Sequence, residues 1–252
     1  MNDLSPLVTL PMASAFAAIH LLVGRLRFLD TAPRSAWLSF AGGVAVGYVF
    51  LHVLPELGLH GGVFAETTGL SAHLAEAMVY TLSLAGLALF YGVERAILVS
   101  RDDPALPEQE ERPSDGVFWL HIAATSILVM TITYLLNHRE DTSIAGLAIY
   151  FIAMALHFVT TDFGSRAHHP EIYDRIGRYV LAAATLAGWA LGQSVELPEL
   201  AIGCLFAFIA GAIILTVLKE ELPEERRSRF GPFLGGAALY AALVLGEIAL
   251  VG

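Results

Sequence analysis

Four histidines lie inside apolar runs of this chain: His20, His52, His121 and His157. An ionisable side chain in hydrocarbon is costly, and such residues mark ion paths, proton relays or polar contacts between helices. His121 and His157 carry the most chemistry because of their surroundings. Thr125 and Thr161 follow four residues on, the spacing that puts two side chains on one helical face, and Ser126 and Thr160 flank them. Measured from the ends of their runs, both imidazoles fall about 6–8 Å inside one membrane boundary at 1.5 Å per residue. Two imidazoles in one layer beside hydroxyls describe a polar chamber for a cation or protons. The alternative is that each His bonds a neighbouring helix and serves packing. Asp162 stands at the end of the His157 run, turned about 140° further round the helix than His157.

His52 and Glu56 sit one turn apart, a spacing that lets two side chains touch one metal or cap an exposed helix end. Glu220 and Glu224 repeat it. Acidic pairs at two mouths would raise the local cation concentration. His20 alone reads as a packing residue, and His168-His169 as a solvated loop pair. The single cysteine, Cys204, permits neither an intramolecular disulfide nor a thiolate zinc site.

The elements that must position these groups are membrane spans. The chain has 252 residues, 56% hydrophobic and 15% charged, with a mean hydropathy of +0.65. A spanning helix needs about 20 mostly apolar residues, and about 17 suffice. Eight stretches qualify: 8–24, 35–55, 77–93, 116–136, 143–161, 179–195, 200–218 and 230–246, none containing Asp, Glu, Lys or Arg. Strand alternation is absent, against an outer-membrane barrel. Helices of a soluble bundle would each keep a charged face. The expectation is an all-α membrane protein of eight transmembrane helices, a single domain with a mobile, acidic connector over 96–115. Met1-Asn2-Asp3 carries no basic signal-peptide region. A net charge of −10 argues against nucleic-acid binding.

Basic residues orient the bundle. The odd-numbered loops hold thirteen of the fourteen Lys and Arg residues, and the even-numbered loops hold Arg139 alone. The odd loops, including 96–115 and 219–229, are therefore expected in the cytoplasm. The chain reads as a multi-pass protein of the plasma or cytoplasmic membrane with both termini outside.

Spans two and seven share a pattern. Gly43 precedes Leu54-Pro55-Glu56 as Gly211 precedes Leu222-Pro223-Glu224, with Pro twelve residues after Gly in both. The two spans cross in opposite senses, so the eight divide as three, two and three, with the outer triplets related by inversion. Inverted repeats around a shared site are a recurring transporter design. Proline ending two helices accounts for the shared Leu-Pro-Glu equally well. The repeat predicts that residues 35–56 superpose on 203–224.

These stretches resemble the ZIP family of divalent-metal transporters. The run from Gly43 to Leu54-Pro55-Glu56 is similar to that family's second helix, Phe90-Tyr91-Gly92-Val93-Glu94-Arg95 to the end of its third, and Phe208 through Glu224 to its seventh. The resemblance implies a 3+2+3 bundle that moves zinc or a similar divalent cation by alternating access. It implies His121, His157 and Asp162 as the metal residues, with Thr125, Ser126, Thr160 and Thr161 lining the cavity. His52 and Glu56 would line the outer mouth, and Glu220 and Glu224 the inner one. The departures concern the chemistry. The fourth helix of the family carries a carboxylate where this chain has Thr125, and its fifth carries a second His-Glu pair where this chain has Thr161-Asp162. A binuclear centre is lost, and one weakly bound divalent cation such as zinc is the expected occupant.

The expected partners are the lipid bilayer and the metal cation, with a homodimer left open. No enzymatic activity is expected. The rivals are a non-transporting ZIP-fold sensor or scaffold and a redox protein holding haem between His121 and His157. A membrane metallohydrolase would need three protein ligands in one layer, which the sequence does not supply.

Overall fold

The structure, a computed structural model, describes residues 6–26, 36–101, 115–139, 143–168, 170–221 and 229–251. Those residues are helical throughout apart from short connections, with no strand among them. Helix α1 spans Pro6–Leu22 and ends in a 3-10 turn, Val23–Arg25. Helix α2 spans Ala36–Thr68. Then come α3 (Ala72–Arg101), α4 (Asp115–Leu135) and α5 (Ile144–His168). A wide-turn segment, Tyr173–Gly177, leads into α6 (Arg178–Ser194). Helices α7 (Glu199–Glu221) and α8 (Phe230–Val251) complete the chain.

Each of the eight apolar stretches is thus helical. Six helices, α1 to α5 and α7, are long and apolar enough to cross a membrane. Helix α6 has 17 residues, and Phe230–Gly246 of α8 forms a shorter apolar helix. Hydrocarbon offers no partner for backbone N–H and C=O groups, so a chain crossing it satisfies them within each helix. Leu7, Leu84, Ile144, Leu245 and Ile248 are exposed, as lipid-facing side chains are.

Helix α2 does not stop at Pro55, where the sequence reading ended its span. A π-type turn over Val49–Val53 precedes Leu54–Thr68. Proline has no N–H to offer and its ring crowds the carbonyl one turn back; a widened turn immediately before it absorbs both. The helix ends at Gly69, whose φ of 72° suits a residue without Cβ, with its N–H on the Ala65 carbonyl at 3.0 Å.

Packing divides the helices into two groups. Helix α2 packs on α8, α3 on α7, and the second half of α2 on α3. In the other group α6 packs on α4 and α1, and α1 on α5. The division is not clean: α5 packs more on α2 of the first group than on α1, and α4 also packs on α3 and α7. Glycines make three of these crossings close, among them α6 on α4, where a Cβ on Gly188 would run into the Met130 carbonyl. A Cβ on Gly43 would run into the Phe233 carbonyl, and one on Gly236 into the Phe40 carbonyl. The α3–α7 crossing has the same form, with Gly86 on the Phe208 carbonyl and Gly211 on that of Ser83. Small residues let helix backbones approach in this way without a hydrophobic driving force.

Side-chain bonds stitch the second group. Trp189 of α6 donates to Thr9 of α1 at 3.0 Å, Asn137 after α4 donates to the Trp189 carbonyl at 3.1 Å, and Gln193 donates to Asn137 at 2.6 Å. At the other end Arg166 and Asp174 form a two-point ion pair at 2.8 Å beside Gly24.

Candidate functional site

The central helices α4 and α5 run antiparallel, and two bonds fix their register. His121 Nε2 meets the Ser165 hydroxyl at 2.9 Å, and the Tyr150 hydroxyl donates to the Ile132 carbonyl at 3.3 Å. The first bond puts His121 level with Ser165 and the second puts it level with Thr161, so His121 stands four to eight residues from the level of His157, about 6–12 Å at 1.5 Å per residue. The two imidazoles therefore do not share a layer, as their distance from the expected span ends had implied. Helix α5 continues to His168, seven residues past the expected end of its span, and this moves His157 to mid-helix. The same two bonds put Thr125 level with the stretch from His157 to Thr161. Thr125 and Thr161 are both buried.

The flanking hydroxyls serve their own helices. Ser126 donates to the Ile122 carbonyl at 2.6 Å and Thr160 to that of His157 at 2.9 Å. His157 is 2% exposed, packs beside Phe158, and has no hydrogen-bond partner at Nε2. The Thr161 hydroxyl is likewise buried without a partner.

Asp162 is not gathered with His121 and His157 as a ligand triad. Its Oδ2 lies 2.7 Å from His20 Nδ1, both residues having no solvent exposure. His20, read from the sequence as a packing residue that bonds a neighbouring helix, makes that bond to the acid of α5. Tyr173, in the wide turn before α6, is fully buried; burial and then the Asp162 carboxylate push its phenol well above the usual range, while Asp162 Oδ1 is buried without a hydrogen-bond partner. Among the described residues no three His, Cys, Asp or Glu side chains form a metal-binding group.

His52 and Glu56 do not stand at a helix end, since α2 continues twelve residues beyond Glu56. His52 lies within the π-type turn, stacked on Tyr48 at 5.7 Å, with Nδ1 2.8 Å from the Tyr240 hydroxyl of α8. Glu220 lies in the last turn of α7 with its side chain outside the described residues, and Glu224 lies outside them altogether.

Two further features frame the central pair. One is a cavity of 540 Å³ between α2, α4, α5 and α7, at the end where the sequence reading puts the outer loops. Glu56, His60, His138, Arg139, Glu196 and Glu199 line it with Tyr48 and Tyr150, and its apolar wall includes Ile132, Met154, Ile209 and Ile213. Met154 lies one turn from His157, so the cavity reaches toward mid-helix.

The other feature is a closure at the opposite end. Lys219 of α7 is ion-paired with Glu94 of α3, and Glu94 Oε1 lies 3.9 Å from His121 Nδ1. Through His121 and Ser165 the chain of contacts runs from α7 and α3 to α4 and α5, joining the two groups. Neither Lys219 nor Ser165 stands out in the sequence as a site residue. Glu94 was visible only as part of the Phe90–Arg95 resemblance, because a charged residue flanking an apolar run ordinarily belongs to the interface.

Compared with protein-family models, curated proteins and solved structures, the chain matches none of them.

Proposed function

We propose that this chain is a ZIP-like membrane transporter of divalent cations, built of eight spanning helices in a 3+2+3 inverted repeat and working by alternating access. The reciprocal glycine crossings carry the reading. Phe40 and Gly43 of α2 face Phe233 and Gly236 of α8 as Phe208 and Gly211 of α7 face Ser83 and Gly86 of α3. An offset of 168 residues converts Phe40 and Gly43 into Phe208 and Gly211, the offset of the Gly-to-Leu-Pro-Glu pattern. Partners exchange as inversion demands: α2 on α8 becomes α7 on α3. The helix that follows α7 thus corresponds to the helix that follows α2.

In this reading α2, α3, α7 and α8 form one body and α1, α4, α5 and α6 the other. The cavity is the outer vestibule, and the contacts from Lys219 through Glu94 to His121 and Ser165 form the inner closure. A cation leaving the vestibule passes His157 and the hydroxyls of Thr125 and Thr161 before it reaches His121. Those hydroxyls replace charged ligands, so binding is weak.

The test is uptake of Zn²⁺ or Cd²⁺ into proteoliposomes. Wild-type protein should give saturable flux, and the double variant His121→Ala/His157→Ala should give none while remaining folded. Thr125→Asp should lower the half-saturating concentration, because it restores an anionic group where water is scarce. Wild-type flux in the double variant would end the role of these two residues.

A second reading is favoured by one observation. Asp162, the carboxylate beside the central layer, already has its Oδ2 paired with His20. A ZIP-fold sensor or scaffold that no longer transports needs no free carboxylate there. A well-folded wild-type protein with no flux of either metal selects this reading.

A further inference from the structure

The vestibule contains a charge that a cation path does not need. Arg139 is the one basic residue of the loops expected outside. Its guanidinium lies 4.3 Å over the Tyr150 ring, and it makes no ion pair among the described residues. Its Nε is buried with no hydrogen-bond partner. Stacking occupies the face of the guanidinium and leaves the in-plane N–H donors at its edge, the geometry that grips a carboxylate by two parallel bonds. A cavity of 540 Å³ lies within the range of small-molecule sites and far exceeds the needs of a bare metal ion.

We propose that the vestibule binds a small monocarboxylate with an apolar body, its carboxylate paired with Arg139 and its carbon skeleton lying on Met154, Ile132, Ile209 and Ile213. Charge sets the class. One guanidinium answers one carboxylate, while Glu56, Glu196 and Glu199 around the same cavity repel a second. An alcohol of the same length leaves the guanidinium unanswered. The Tyr150 ring holds the guanidinium in place, so little side-chain freedom is lost on binding.

This site does not depend on the cation reading, because its occupancy is measured without metal. The protein in lipid nanodiscs is titrated calorimetrically with hexanoate, adipate and hexylammonium, and empty nanodiscs supply the partitioning background. Hexanoate should give a saturable signal above background, with adipate and hexylammonium weaker by about tenfold or more. Arg139→Gln should lose about tenfold or more in hexanoate affinity, and Arg139→Lys should lie between. Met154→Ala deepens the floor without touching the guanidinium, and should move the preferred chain length from hexanoate toward octanoate. The proposal is overturned by wild-type hexanoate affinity in Arg139→Gln, by no saturable signal above empty nanodiscs, or by hexylammonium binding as tightly as hexanoate. An unchanged chain-length preference in Met154→Ala overturns the assigned floor. Absence of metal flux bears only on the transporter reading.

Discussion

A carboxylate with no water around it must be answered by a positive charge or by hydrogen-bond donors. Asp162 meets this condition through His20, 142 residues earlier in the chain. Removing one partner of such a pair strands the other, at a cost of about 3–5 kcal/mol, whereas replacing both with apolar groups of similar size is far less damaging. His20→Leu and Asp162→Leu should therefore each lower stability by about that amount. The double variant should recover most of the loss, as read by unfolding in mixed micelles. Equal additive losses would mean the pair is not coupled. Nothing in the sequence marked this pairing. Spacing along one helix reports which residues share a face, but not which of seven other helices that face meets. The depth of His157 was misjudged for a related reason. Asp162 and Arg166 look like the polar end of a span, yet the ion pair of Arg166 with Asp174 lets α5 continue as helix to His168.

At the scale of elements, the glycines that the sequence pattern singled out prove to be contact points. Gly43 and Gly211 stood out because each precedes Leu-Pro-Glu by the same interval. Both occupy the bottom of a helix crossing, and Gly86 and Gly236 complete the pairs. Gly43→Ala and Gly211→Ala each drive a methyl into a backbone carbonyl that has no rotamer by which to yield. Each should cost about 1–3 kcal/mol or more, while Gly62→Ala, which meets nothing nearby, should be neutral or stabilising; thermal unfolding in detergent separates the three. The π-type turn was not legible, because Pro55 announces a helix fault without saying whether the helix stops or widens. An inserted residue produces such a turn, so deleting the exposed Phe50 should restore α-helical phase. Circular dichroism should show the helix retained, while a cysteine at position 52 should lose its cross-link to one at 240.

For the whole molecule, the apolar runs located all eight helices because hydrocarbon leaves the backbone so few options. The register between helices, on which every site depends, was beyond reach of any single run. Orientation rests on the distribution of Lys and Arg, and it is testable by labelling. With Cys204 replaced by Ser, single cysteines within 96–115 and 219–229 should react only after the membrane is permeabilised. Cysteines at 60 and 199, near the vestibule, should react from outside. The two-body arrangement adds a mechanical test. A disulfide between Glu94→Cys and His121→Cys joins the bodies at the inner end, so oxidation should stop flux and reduction should restore it. The vestibule cysteines should stay reactive throughout. Flux that survives complete cross-linking would rule out relative motion at that contact.

The inner closure has a property that the glycine crossings lack: it answers to dissolved salt. Glu94 and Lys219 are 18% and 34% exposed, so ions on that side reach the pair. The screening length falls from about 8 Å at physiological ionic strength to about 3 Å at 1 M. Salt on the Lys219 side should therefore weaken the contact between Lys219 and Glu94. On the transporter reading proposed above, concentrated salt on the Lys219 side should speed cation movement through the protein, and the same protein in dilute salt should conduct more slowly.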